Sequence, residues 1–137
     1  MEYVLADILT EVEVERISLR AAMHRYFLER RDLECIKGLA RAFALGLLRK
    51  YRLVDFIAGE VLGIKLDRLS VWEKNLLRAL LYETKFRSVD LDRVLRVSKK
   101  VANVNLNRRD LEIVKRISVK SLLKNLKEVR RLAIEYS

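Results

Sequence analysis

The sequence predicts an all-α fold, a compact bundle of about seven helices forming one domain over residues 1–137. Three observations carry this. The 137 residues include no proline and only four glycines, so turn signals are few. Apolar residues recur three and four apart along nearly the whole chain, the spacing of a helix face. Hydrophobic residues make up 51% of the sequence, enough to fill a single core at this length and to argue against disorder.

Each element follows from local pattern. Val4, Leu5, Ile8 and Val12 mark a first amphipathic helix over roughly residues 2–14. Ser18 is placed to cap a second, whose Leu19, Ala22, Met23, Tyr26 and Phe27 share one face. Asp32 is placed to cap a third, with Ile36, Leu39, Ala40, Phe43, Leu47 and Leu48. This helix is apolar around much of its circumference, which predicts the central, most buried position. Gly38 and Gly46 lie on one of its faces, where close packing against a neighbour explains residues that weaken a helix. A fourth helix carries Val54, Ile57, Val61 and Leu62 and stops at Gly63. Ser70-Val71-Trp72-Glu73 is a capping box and opens a fifth helix that runs to about Phe86. Asp90 is placed to cap a sixth with Leu91, Val94 and Leu95. Residues 103–110 are polar and read as a loop, and a last helix runs from about Ile117 to Tyr136.

Charge is unevenly distributed. The chain has a formal net charge of +10, and the stretch from Lys85 to Arg131 carries all of it, with 15 basic against 5 acidic residues. A one-sided basic region is the electrostatic footprint of a polyanion-binding domain, and nucleic acid is the commonest polyanion. In the last helix Lys120, Lys124, Lys127 and Arg131 fall within about 60° of one another around the axis. The sixth helix repeats the arrangement with Arg93, Arg96 and Lys100, with Lys99 beside them. Arg108, Arg109, Lys115 and Arg116 lie in and just after the loop between the two helices. If those helices form an antiparallel pair, the stripes merge into one surface that neutralises several phosphates. Aromatic residues are sparse there, so the sequence offers no base-stacking platform.

No enzyme constellation is present in the pattern. His24 reads as a surface histidine and Cys35 as a buried or half-buried structural thiol, and one of each gives no metal-ligand set. Asp90 and Asp92 sit where a helix N-terminus favours carboxylates. Glu11, Glu13 and Glu15 read as solvated, and Trp72 as packing. No glycine-rich phosphate loop occurs, so no cofactor is expected. The apolar runs are too short to span a membrane, and the acidic N-terminus is unlike a signal peptide. A single cysteine fits a reducing cytoplasm, and the 35% charged residues with no glutamine lean towards a thermophilic source.

The segment from Leu66 to Glu83, with Leu77-Arg78 followed by Tyr82-Glu83, resembles the NusB domain. Ser18-Leu19, the run Leu45-Gly46-Leu47-Leu48-Arg49 and Asp55-Phe56-Ile57 resemble one branch, the N-terminal domain of Sun/Fmu-type ribosomal RNA cytosine-5 methyltransferases. Val119 to Lys124 stands where that family has an Asn-Gly-Val-Leu-Arg-like segment. The resemblance implies an all-helical bundle of roughly seven helices and a role in RNA binding, either fused to a methyltransferase domain or free-standing. It implies that Arg49, Asp55, Arg78, Tyr82 and Glu83 are internal to the bundle, the first three in ion-pair or helix-end contacts. The basic N-terminal arm of NusB proper is missing, because the first helix carries Glu2, Asp7 and Glu11. The catalytic methyltransferase domain is not in this chain.

Two functional classes therefore stand. One is an RNA-binding module using the basic surface of residues 93–131. The other is a protein-interaction module that self-associates or docks a ribosomal or transcription protein. A helix-turn-helix DNA reader fits poorly, since the polar loop before residue 117 is too long.

Overall fold

The computed structural model describes residues 1–136, with side chains described as far as Lys127. Within those residues the chain forms α1 (Glu2–Glu15), α2 (Leu19–Glu29), α3 (Lys37–Phe56), α4 (Val71–Phe86), α5 (Leu91–Ser98), α6 (Arg108–Arg116) and α7 (Val119–Tyr136). The all-α bundle is as expected. No described helix is long and apolar enough to cross a membrane.

The axis of the bundle is α4, not α3. Leu76, Leu77, Ala79, Leu80 and Leu81 are all fully buried, so α4 has apolar contacts on every side. Helices α1, α3, α5 and α6 all pack against it. Each buried leucine contributes about 1.5–3 kcal/mol relative to exposure, which makes this the most stabilising segment of the chain. On α3 the buried side is Ala40, Phe43, Ala44, Leu47 and Val54, and it already fills the contact with α1 and α4. Leu39, Leu45 and Leu48 lie off that side and are left exposed. A wide apolar circumference thus reflected surplus surface rather than central position.

Several boundaries differ from expectation for identifiable reasons. Asp32 caps no helix: a 3₁₀ segment, Arg31–Ile36, precedes α3, which starts without a side-chain cap. The expected third and fourth helices are one continuous run, because α3 passes into a π-helical turn, Ile57–Val61, with no break in the hydrogen-bond ladder. The turn ends at Gly63, whose φ of 66° explains the glycine. Conversely, the polar stretch holds the start of α6, opened by a capping box between Asn107 and Asp110. The caps at Ser18, Ser70 and Asp90 are present. Glu73 completes the Ser70 box and also accepts from the Ala102 amide at 2.6 Å, tying the start of α4 to the segment after α5.

Gly46 and Gly38 have different roles. A Cβ on Gly46 would collide with the Tyr82 hydroxyl, so this glycine lets α3 cross α4 closely. A Cβ on Gly38 would meet nothing within 4 Å. Cys35 is exposed rather than buried, because it sits on the 3₁₀ segment outside both apolar clusters. The smaller of those clusters joins Ile8, Ala22, Met23, Tyr26, Phe27 and Ala40, and fastens α2 to α1 and α3.

Candidate nucleic-acid interface

The basic residues singled out by the sequence separate into two groups. Arg93, Arg96, Lys99 and Lys100 are exposed on and just after α5, and Arg108, Arg109, Lys115 and Arg116 are exposed on α6. These two helices pack together, with Arg108 of α6 reaching Asp92 of α5. Lys120, Lys124 and Lys127 are exposed along α7 and line a shallow groove with Ser118, Ser121 and Leu123. Helix α7 seats its apolar side, with Leu122 buried, against α3. Among the described residues α7 packs on α3 rather than pairing with α5, which was the condition for the two stripes to merge. The α7 stripe continues from the C-terminal end of α6, where the Lys85 ammonium donates to the carbonyls of Lys115, at 3.2 Å, and Ile117. Arg131 lies outside the residues whose side chains are described.

Two of these cations are committed elsewhere. Arg93 donates to the buried carboxylate of Glu2 at 2.9 Å, and its guanidinium lies 2.8 Å from the second oxygen. Arg108 pairs with Asp92 at 2.8 Å and lies 3.8 Å from Glu112. Among the described residues, Arg96, Lys99, Lys100, Arg109, Lys115, Arg116, Lys120, Lys124 and Lys127 have no carboxylate within 4.0 Å. Their field is uncompensated locally, which is what a phosphate backbone requires.

Behind this patch lies a buried polar cluster that the sequence pattern gives no sign of. Glu2 and Glu83 are 2% and 5% exposed and share one site. Burial, together with the hydrogen bond to Glu2 and the charge of its carboxylate, pushes the Glu83 carboxyl up to about 8. Burial works to raise Glu2 also, but the hydrogen bond from Glu83, the N-terminal ammonium and Arg93 outweigh it and hold Glu2 below the ordinary range. Arg93 links this carboxyl pair to the edge of the α5 patch.

The acidic residues of α1 are also partly spoken for. Glu11 pairs with Arg25 at 2.6 Å and Glu13 with Arg78 at 2.9 Å, so neither is simply solvated. Trp72 is half-buried as packing, stacked on Tyr3, and its indole N–H donates to Asp7 at 2.9 Å. Asp55 and Arg78 form the internal ion pair implied by the resemblance, whereas Arg49 is exposed. Among the described residues no group of three or more His, Cys, Asp or Glu side chains is arranged to hold a metal ion.

These features define an all-helical domain with a cationic surface at its C-terminal half. The NusB family model matches residues 3–103, and the chain belongs to the NusB family. Membership points to a domain of RNA-binding, transcription-antitermination type. The match includes α5 with Arg93, Arg96, Lys99 and Lys100, and stops before α6 and α7. Comparisons with curated proteins and with solved structures give no match.

Proposed function

We propose that the chain is an RNA-binding module that engages ribosomal RNA through the cations of α5, α6 and α7. The observation that carries this is the set of exposed arginines and lysines without carboxylate partners among the described residues, on a domain of the NusB family. RNA is favoured over base-specific DNA readout because the surface offers charge along helix flanks rather than one projecting recognition helix. Arg93 and Arg108 act mainly as structural links, while Arg96, Lys99, Lys100, Arg109, Lys115, Arg116, Lys120, Lys124, Lys127 and Arg131 make the phosphate contacts. On this reading the chain works in the cytoplasm, without a cofactor. It serves as the accessory N-terminal domain of an RNA cytosine-5 methyltransferase, or as a stand-alone relative of one.

Binding of the purified chain to a structured ribosomal RNA fragment and to duplex DNA of equal length, across a salt series, tests this. The expected result is steeply salt-dependent binding with RNA preferred. Equal, weak binding to both overturns it.

A further inference from the structure

A second surface lies between α2 and α3, away from the cations of α5–α7. It is a groove of about 550 Å³. Its floor is apolar, with Met23 buried and Leu19 half-buried, and Leu45 is exposed at its edge. Its walls carry Arg20, His24, Lys37 and Arg41, and no carboxylate lines it. Lys37 has an exposed partner, Glu34, at 3.9 Å, a surface pair of little strength. Among the described residues Arg20 and Arg41 have no carboxylate within 4.0 Å. From Lys37 to Arg52 the chain carries five basic residues and no acid.

Gly38 bears directly on this groove. It is the second residue of α3, it lines the groove wall, and a side chain there would touch nothing within 4 Å. Glycine in a helix costs up to about 1 kcal/mol relative to alanine. At Gly46 the contact with Tyr82 accounts for that cost, whereas nothing inside this molecule does so at Gly38. Gly38, Arg41 and Leu45 follow one another at helical spacing along the groove wall, and Leu45 is exposed. A helix laid in the groove would cover Leu45, with its backbone close to Gly38.

We propose that this groove docks an acidic amphipathic helix of a partner protein. Apolar side chains of that helix seat on Met23 and Leu45, and its carboxylates pair with Arg20, Lys37 and Arg41. The apolar floor and cationic rim match the helix-in-groove mode of recognition, with the charges setting orientation and encounter rate. The aliphatic floor offers nucleic acid no stacking surface. This proposal is independent of the RNA reading, and either can fail alone.

The test uses the full chain labelled with ¹⁵N. The probes are a short synthetic amphipathic helix of Leu and Glu, the same helix with Lys in place of Glu, and a single-stranded RNA. The acidic helix is expected to shift the amides of residues 19–24 and 37–45, and the lysine helix to leave them unmoved. Arg41→Glu weakens the acidic helix about tenfold, equivalent to the loss of one good charge pair. Gly38→Trp fills the groove and abolishes binding. Gly38→Ala melts at a higher temperature but binds the acidic helix more weakly, because its methyl group stands where the partner backbone approaches. Undiminished affinity in both Arg41→Glu and Gly38→Trp overturns the proposal. So does acidic-helix binding that shifts only α5–α7, or RNA shifting the groove amides in place of the helix.

Discussion

Arg78 holds Asp55 through two parallel hydrogen bonds, Nε to Oδ1 at 2.8 Å and Nη2 to Oδ2 at 3.0 Å. The same guanidinium donates to Glu13 at 2.9 Å and to Asn75 at 3.1 Å, and it lies over the Tyr51 ring. One side chain on the central helix thus binds α1 and α3 to it. A planar fork with several donors is needed for this, which a lysine ammonium does not supply.

Replacing Arg78 by alanine is expected to cost about 3 kcal/mol, the lower end for a broken buried pair because Asp55 keeps some water contact. Arg78→Lys should recover less than half of that loss. Urea unfolding of the two variants measures it, and a Lys variant as stable as the parent would show that charge alone suffices.

The contrast between Ser70 and Asn107 shows what the sequence makes legible. Both open helices with reciprocal capping boxes. Ser70 stands before a long apolar run, so its box is read at once. Asn107 stands inside a polar tract, and α6 buries only Leu111 and Val114, too few to set up a periodic signal. The passage of α3 into a π-helical turn is hidden for a related reason, since apolar residues continue through it and no breaker marks it. At the candidate interface, which cations share a face was legible from spacing, as Lys120, Lys124 and Lys127 show. Which of them are already paired was not. Arg93 and its partner Glu2 are 91 positions apart, and no local pattern encodes that contact.

The pair of Glu2 and Glu83 predicts a specific pH dependence. A carboxyl raised from its ordinary value of 4.5 to about 8 binds its proton more tightly in the folded chain than in the unfolded one. Folding is therefore favoured by this group at low pH, and that stability is lost as pH rises from about 4.5 through about 8. Glu2, lowered, acts in the opposite sense, and its contribution is lost as pH falls through the acid range. Glu83→Gln keeps a donor to Glu2 and removes the ionisation. It should flatten the decline in melting temperature between pH 5 and pH 8 and leave the variant more stable than the parent above about pH 8. Thermal melts across pH check this, and parallel curves for the two proteins would rule it out.

The close crossing at Gly46 predicts a contrast with Gly38 on the same helix. Gly46→Ala places a methyl group against the Tyr82 hydroxyl and should destabilise by about 1–3 kcal/mol, despite alanine's better helix propensity. Tyr82→Phe removes the oxygen that a Cβ would meet first, and the double variant should recover part of the loss. A double-mutant cycle by urea unfolding measures the coupling, and strict additivity would place the strain elsewhere.

The stripe on α7 gives the sharpest test of the RNA reading, because its residues do nothing else in the described structure. Lys120, Lys124 and Lys127 are exposed and have no carboxylate within 4.0 Å among the described residues, so their replacement leaves the core untouched. Charge reversal of all three should keep the melting temperature within a few degrees of the parent. If each contacts a phosphate, the slope of log K against log salt flattens by roughly 0.7–0.9 per lost contact, and affinity falls most at low salt. Arg93→Ala separates structural from electrostatic effects. It should lower stability by removing the partner of buried Glu2, while changing the salt slope less than the triple reversal does. Should the triple reversal bind RNA as tightly as the parent, with the same slope, α7 is not in the interface. The contacts would then have to come from the α5 and α6 patch alone.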